Sequence, residues 1–191
     1  AICELIKGES VYDILGLAFL NSDKNVWSRK PSYIEDLDSL PFPDWSLVEN
    51  VYNTGIVVTS RGCKSNCNFC SVSRFWKGYR HRSAGNIVAE MDLFYQKTQQ
   101  RNFVFVDDAF GAEGSYAEEL CELLESRNYI LNVTMRPIDA TRELLSALSK
   151  AGCNKIAFGI ESGSACMLKS LCKSNDLEVN YQALRYSVEF G

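Results

Sequence analysis

From Ile56 onward the chain alternates short β-branched or aromatic runs with longer runs of helical periodicity, which restricts it to a fold of parallel βα units. Strands are expected at Ile56–Ser60, Phe103–Asp107, Leu131–Met135 and Lys155–Ile160. Each is nearly continuous in apolar residues or ends in polar ones, as strands buried in a parallel sheet are. The 3.6-residue period places Ile87, Met91, Phe94 and Tyr95 on the inner face of the first helix, and Leu120, Leu123 and Leu124 on that of the second. Leu144, Leu145 and Leu148 mark the third helix, which Gly152 is placed to stop, and Leu177, Tyr181, Leu184 and Val188 mark the last. Ser115 with Glu118 reads as a capping box for the second helix. The last helix stops at Phe190-Gly191, before the strand such a helix normally leads into, so a truncated barrel is expected.

The first 50 residues read differently, as a connector ending at the core that spans 51–191. They offer a short helix at Ile2–Lys7, a hairpin around Ser22-Asp23-Lys24-Asn25, and the phrase Leu37-Asp38-Ser39-Leu40-Pro41-Phe42-Pro43. Pro41 and Pro43 fix φ and exclude helix, so this phrase is expected to run extended over the barrel surface. With 46% apolar residues in 191, the chain can build one sizeable core. The longest apolar run, Ile14–Leu20, is too short to span a bilayer, and the start does not resemble a signal peptide, so a cytoplasmic location is expected. A net charge of -4 argues against a nucleic-acid platform. The local basic run Lys77–Arg82 either faces a phosphate or carboxylate or is solvated surface, and its His81, the chain's one histidine, reads as surface.

Chemistry concentrates in Arg61-Gly62-Cys63-Lys64-Ser65-Asn66-Cys67-Asn68-Phe69-Cys70. The CxxxCxxC spacing brings three thiolates into one loop after a strand, whereas a structural zinc site takes four protein ligands and ferredoxin clusters four cysteines. A triplet without a nearby fourth partner therefore describes a metal group with one open position, a zinc knuckle whose fourth ligand lies elsewhere, or cysteines that merely lie close in sequence. The other five of the eight cysteines show no disulfide framework; Cys121 and Cys153 read as small core residues, and Cys166 and Cys172, six apart, do not share a helical face.

This loop resembles the cluster loop of radical S-adenosylmethionine (radical SAM) enzymes. The phrases Leu37–Pro43, Asp107-Asp108-Ala109-Phe110 and Gly159-Ile160-Glu161-Ser162-Gly163-Ser164 resemble the subgroup associated with a cobalamin-binding domain. The resemblance implies an α/β fold, a partial radical SAM barrel of about four parallel βα units after an irregular connector that would end a missing cobalamin-binding-like domain. It implies a 4Fe-4S cluster on Cys63, Cys67 and Cys70, with SAM on the remaining iron. Asp107 and Asp108 fall where the SAM amino group is held, Glu161 and Ser162 where its ribose or amino-acid part is contacted, Arg136 at another polar position, and Phe69 either at an adenine contact or packed under the cluster. Because loops at the C-terminal ends of parallel barrel strands converge, Cys63, Asp108, Arg136 and Glu161 are expected to meet. The alternative for either aspartate is to cap the next helix. The implied activity is reductive SAM cleavage to methionine and a 5'-deoxyadenosyl radical that modifies an unknown small molecule, by methylation or ring formation, with an electron donor such as a flavodoxin or ferredoxin. Cobalamin is expected only in a longer parent protein, and this chain is expected to be less active or inactive alone. Two rivals stand beside this reading: a non-catalytic iron-sulfur electron carrier, and an RNA methylthiotransferase-like enzyme.

Overall fold

A computed structural model describes residues 2–48, 53–174 and 176–191. The chain divides into two compact units, Ala1–Glu35 and Asp36–Gly191. The boundary expected between residues 50 and 51 lies outside the described residues. In the first unit, helix α1 (Ile2–Ile6) precedes a hairpin of β1 (Ala18–Leu20) and β2 (Val26–Ser28), paired antiparallel with Phe19 opposite Trp27. The hairpin turns where expected. Lys24 takes the left-handed conformation at φ +61°, and the Asn21 side chain accepts the N–H groups of Asp23 and Asn25 at 3.1 and 2.9 Å.

The second unit begins with the connector. Asp38 accepts the Ser83 N–H at 2.9 Å, Trp45 packs edge-on against Phe94 at 5.1 Å, and Leu37, Leu40 and Phe42 line a groove with Ile56 and Val58. Then follow β3 (Thr54–Val57), β4 (Ser60–Arg61), α2 (Val72–Phe75), β5 (Arg80–His81), α3 (Ala84–Thr98), β6 (Asn102–Phe110) and α4 (Gly114–Leu124). The chain continues through β7 (Ile130–Met135), α5 (Arg142–Lys150), β8 (Cys153–Phe158), α6 (Ala165–Ser170) and α7 (Leu177–Phe190). Strands β3, β6, β7 and β8 form a parallel sheet in that order, the partial (βα) barrel that the alternation predicts. Ser83 and Thr141 cap α3 and α5 through their side chains, and Gly152, at φ +89°, ends α5. A Cβ on Gly152 would stand 2.2 Å from the Tyr129 carbonyl, so only glycine fits.

The core lies on one face of the sheet. Phe103, Phe105, Leu131 and Val133 meet Ile87, Met91 and Phe94 of α3, Leu120 and Leu124 of α4, and Leu144 and Leu148 of α5. Burial therefore alternates along the strands, and Ile56 and Val106 on the other face are 53% and 47% exposed. The central strands are thus buried on one side only. Three further expectations are corrected. Leu123 is 40% exposed, so the inner face of α4 is carried by Leu120 and Leu124 without it. Helix α4 starts at Gly114 with Glu113 as its cap, making no side-chain cap bond, so Ser115 already lies inside the first turn and no capping box forms. In α7, Tyr181, Leu184 and Val188 are exposed, while Asn180 and Ala183 are buried and Tyr186 and Phe190 pack on the core. The helix is rotated because small Ala183 allows close packing, and its end is tied to α5 by the Arg142–Glu189 ion pair and by Ser149 Oγ donating to the Phe190 carbonyl at 2.8 Å.

The alternation also separates the two aspartates of β6. Asp107 continues the Phe103, Phe105 row and is buried on the helix side, whereas Asp108 points to the uncovered face. The pairing of β6 with β7 shifts between Phe105 and Phe110, a bulge that spans both carboxylates. Asp107 accepts four hydrogen bonds, from the N–H of Thr59 and Ser60 at 2.9 and 2.5 Å and from their hydroxyls at 2.9 and 3.0 Å. Desolvation outweighs those donors and raises its pKa from 3.8 to about 6. Because the folded pKa is the higher one, the stability this group adds is full below its unfolded pKa and is lost as pH rises through about 6. Asp107→Asn removes the titration. In urea unfolding at pH 4 to 7, the stability of the native chain relative to this variant is expected to fall by roughly 3 kcal/mol across that window. A constant difference would contradict the raised pKa.

Candidate active site

Between β3 and β5 the chain forms a lobe whose base is fixed to the sheet. Thr59 and Ser60, both buried, are held by Asp107, and one step on, Gly62 N–H donates to Asp108 Oδ2 at 3.0 Å. The two β6 carboxylates thus grip the entry of the cysteine loop from opposite faces of the sheet. Gly62 sits at φ +93°, and a Cβ there would stand 2.0 Å from the Gly78 carbonyl. The pairing of β4 with β5 closes the lobe, with the Arg61 and Arg80 guanidinium groups 5.2 and 5.8 Å from the Trp76 ring. Arg82 pairs with buried Glu90 and donates to the Val58 carbonyl at 3.1 Å, so the basic run is largely the seam of this hairpin rather than an open anion surface. His81 is not simple surface either, since its ring stacks on Tyr116 at 3.9 Å.

Within the lobe, Cys63, Cys67 and Cys70 are free thiols, Cys67 buried and the others half-buried. Burial pushes the Cys67 thiol up, Lys173 opposes this, and the charges of Cys63 and Cys70 push it up further, so the three sulfurs share one electrostatic neighbourhood. Among the described residues no three His, Cys, Asp or Glu side chains converge on a point for a single metal ion. A cubane spreads its thiolate ligands over separate irons and does not require that convergence. A donor set of three free thiols on one short loop fits such a cluster, with one iron left for a ligand from outside the triplet.

The loop is also docked onto the segment after α6. Ser65 Oγ meets Ser174 Oγ at 2.9 Å, Asn68 Nδ2 donates to the Ser170 carbonyl at 2.7 Å, and Asn68 N–H to that of Leu171 at 3.2 Å. Lys173, whose side chain is 7% exposed, places Nζ 3.4 Å from Glu161 Oε1. Glu161 adopts φ +65°, a strained conformation for a residue with a side chain, just past the end of β8. The neighbouring Ser162 Oγ accepts the Ser164 N–H at 3.1 Å. Arg136, following β7, is bidentate to Asp139 and reaches Ser65 and Cys63. Phe69 is 54% exposed.

Of the residues singled out in the sequence, the structure gathers Cys63, Cys67, Cys70, Asp108, Arg136 and Glu161 around one lobe at the strand ends. Asp107 reaches only the base of that lobe, from the helix side, with its oxygens engaged by Thr59 and Ser60. Lys173, Asp139, Ser65 and the Ser170–Ser174 segment were not foreseen. Lys173 and Asp139 carry no periodic or motif signal, Ser65 is a spacer position within the cysteine motif, and the docking segment reads as an ordinary connection between helices.

A parallel βα sheet thus bears a three-cysteine loop at the C-terminal end of its first strand, a donor set for an iron-sulfur cluster. Residues 57–191 match the Radical SAM superfamily, and the chain belongs to that superfamily, whose cofactors are a 4Fe-4S cluster and SAM. An uncharacterized methyltransferase of Pyrococcus horikoshii is 27% identical over 196 residues, covering 98% of this chain and 43% of the relative. The anaerobic magnesium-protoporphyrin IX monomethyl ester cyclase of Cereibacter sphaeroides is 28% identical over 191 residues, covering 93% of this chain and 31% of the relative. The solved structure of the cobalamin-dependent SAM radical enzyme OxsB, with aqua-cobalamin and SAM bound, superposes with a TM-score of 0.85 at 20% identity, over 97% of this chain and 30% of that one. The chain thus spans less than half the length of these relatives. Among the described residues no helix is long and apolar enough to cross a membrane.

The contact of Gly62 with Gly78 makes Gly62→Ala a direct probe of the loop's entry. The substitution is expected to destabilise the fold by more than about 1 kcal/mol, from the positive φ and the backbone clash together. Thermal unfolding and iron uptake measured on the same sample check this, and wild-type values for both would show that the entry is not constrained.

Proposed function

We propose that this chain carries the cofactor-binding core of a radical SAM enzyme that modifies an organic substrate, methyl transfer and ring closure being the outcomes named for its relatives. The observation that carries the proposal is the placement of three free thiols on a loop pinned at the strand ends, beside the Glu161–Lys173 pair. Cys63, Cys67 and Cys70 hold the cluster, which when bound supplies the electron that cleaves SAM to methionine and a 5'-deoxyadenosyl radical. SAM offers an ammonium, a carboxylate, a ribose and an adenine, and the uncovered side of the site offers complements to each. Asp108 and Glu161 would serve the ammonium and the ribose hydroxyls, Ser162 would add a hydroxyl, Lys173, the partner of Glu161, would serve the carboxylate, and Phe69 would offer a ring to the adenine. Asp107 works from behind by fixing the loop. A donor of low-potential electrons, of the flavodoxin or ferredoxin kind, completes the reaction.

Anaerobic reconstitution followed by EPR of the reduced chain, with and without SAM, tests this reading. About four irons per chain and a SAM-dependent change of the signal are expected, with iron uptake lost in Cys67→Ala. A loaded cluster whose spectrum ignores SAM would leave an electron carrier in place of the enzyme.

A further inference from the structure

Arg136, placed by the resemblance at a polar position of the SAM site, has most of its donors engaged within the protein. Nε and Nη2 donate to Asp139 Oδ2 and Oδ1 at 2.6 and 2.5 Å, with the Arg136 and Asp139 side chains only 13% and 9% exposed. Nη1 donates to Ser65 Oγ at 2.6 Å and lies 4.0 Å from Cys63 Sγ. Ser65 adds its own N–H, 3.4 Å from the same sulfur, and its hydroxyl reaches on to Ser174 at 2.9 Å. A half-buried cation of fixed orientation therefore stands beside the first of the three cysteine sulfurs, and the residue between them belongs to the cysteine loop itself.

The orientation matters because a guanidinium is always charged and its planar fork, locked by a bidentate carboxylate, cannot swing away. Hydrogen bonds to ligand sulfurs and nearby charge set the reduction potential of iron-sulfur clusters. Reduction adds one electron to a cluster that its thiolates already make negative, so a fixed cation near Cys63 favours the reduced form, with Asp139 offsetting only part of the effect because it lies on the far side of the guanidinium.

We propose that Arg136, oriented by Asp139, is a positioning residue that holds the Cys63 limb of the loop through Ser65 and biases the cluster toward its reduced state. This inference rests on the cluster assignment above. Its test is an EPR-monitored redox titration of the reconstituted chain, with dithionite as the source of electrons. Arg136→Gln combined with Asp139→Asn removes both buried charges together and leaves neither unpaired. With iron content and circular dichroism unchanged, the ratio of reduced to oxidised cluster at the wild-type midpoint is expected to fall about tenfold, equivalent to about 59 mV for a one-electron couple. Arg136→Lys, which keeps the charge and loses the fork, is expected to recover part of the ratio. An unchanged ratio in a fully loaded double variant overturns the proposal. If the double variant does not fold, Ser65→Ala gives the decision with the ion pair intact: faster iron loss to a chelator with a lower reduced fraction supports the proposal, and wild-type values for both overturn it. A native chain that takes up no four-iron cluster defeats the preceding assignment, and this inference with it.

Discussion

Asp107 is the point on which the site's geometry depends. A carboxylate buried on the helix side of a sheet is costly unless its oxygens are fully engaged, and here two backbone N–H groups and two hydroxyls engage them. All four donors belong to Thr59 and Ser60, the last residues before the cysteine loop, so satisfying Asp107 fixes where that loop leaves the sheet. Asp108, one residue on and on the opposite face, takes Gly62 N–H and sets the direction in which the loop departs. The irregularity in the pairing of β6 with β7 falls at these same two residues.

From that base the site is assembled by strand ends. Cys63 follows β3, Asp108 lies on β6, Arg136 follows β7 and Glu161 follows β8, and the parallel arrangement puts all four at one edge of the sheet. Cations balance the thiols although the chain as a whole carries -4: Arg136 stands near Cys63, and Lys173 acts on Cys67. The loop is held at both ends of this arrangement, by β6 at its entry and by the Ser170–Ser174 segment at Ser65 and Asn68. A short loop with several polar anchors keeps three sulfurs in place better than packing alone, since side-chain hydrogen bonds fix direction as well as distance.

Much of this was legible in the sequence, and the failures have identifiable causes. The four strands and the helices between them follow from periodicity, the cysteine triplet stands out by its spacing, and the convergence of Cys63, Asp108, Arg136 and Glu161 follows from their places after parallel strands. Adjacency in sequence groups Asp107 with Asp108, whereas counting by two from Phe103 and Phe105 assigns Asp107 to the buried row. The face of α7 was misread because an aliphatic stripe outweighed Ala183, whose small side chain permits the closer contact. Lys173 could not be read at all. Its partner Glu161 is twelve residues away across a helix, and only the fold brings the two within 3.4 Å.

The central claim is that this loop holds three irons of a four-iron cluster and leaves the last to SAM. Mössbauer spectroscopy of the chain reconstituted with iron-57, before and after SAM is added, measures this directly. The account predicts that about a quarter of the iron signal changes on adding SAM while the rest stays put. A spectrum in which all the irons remain alike, with SAM or without it, would contradict it.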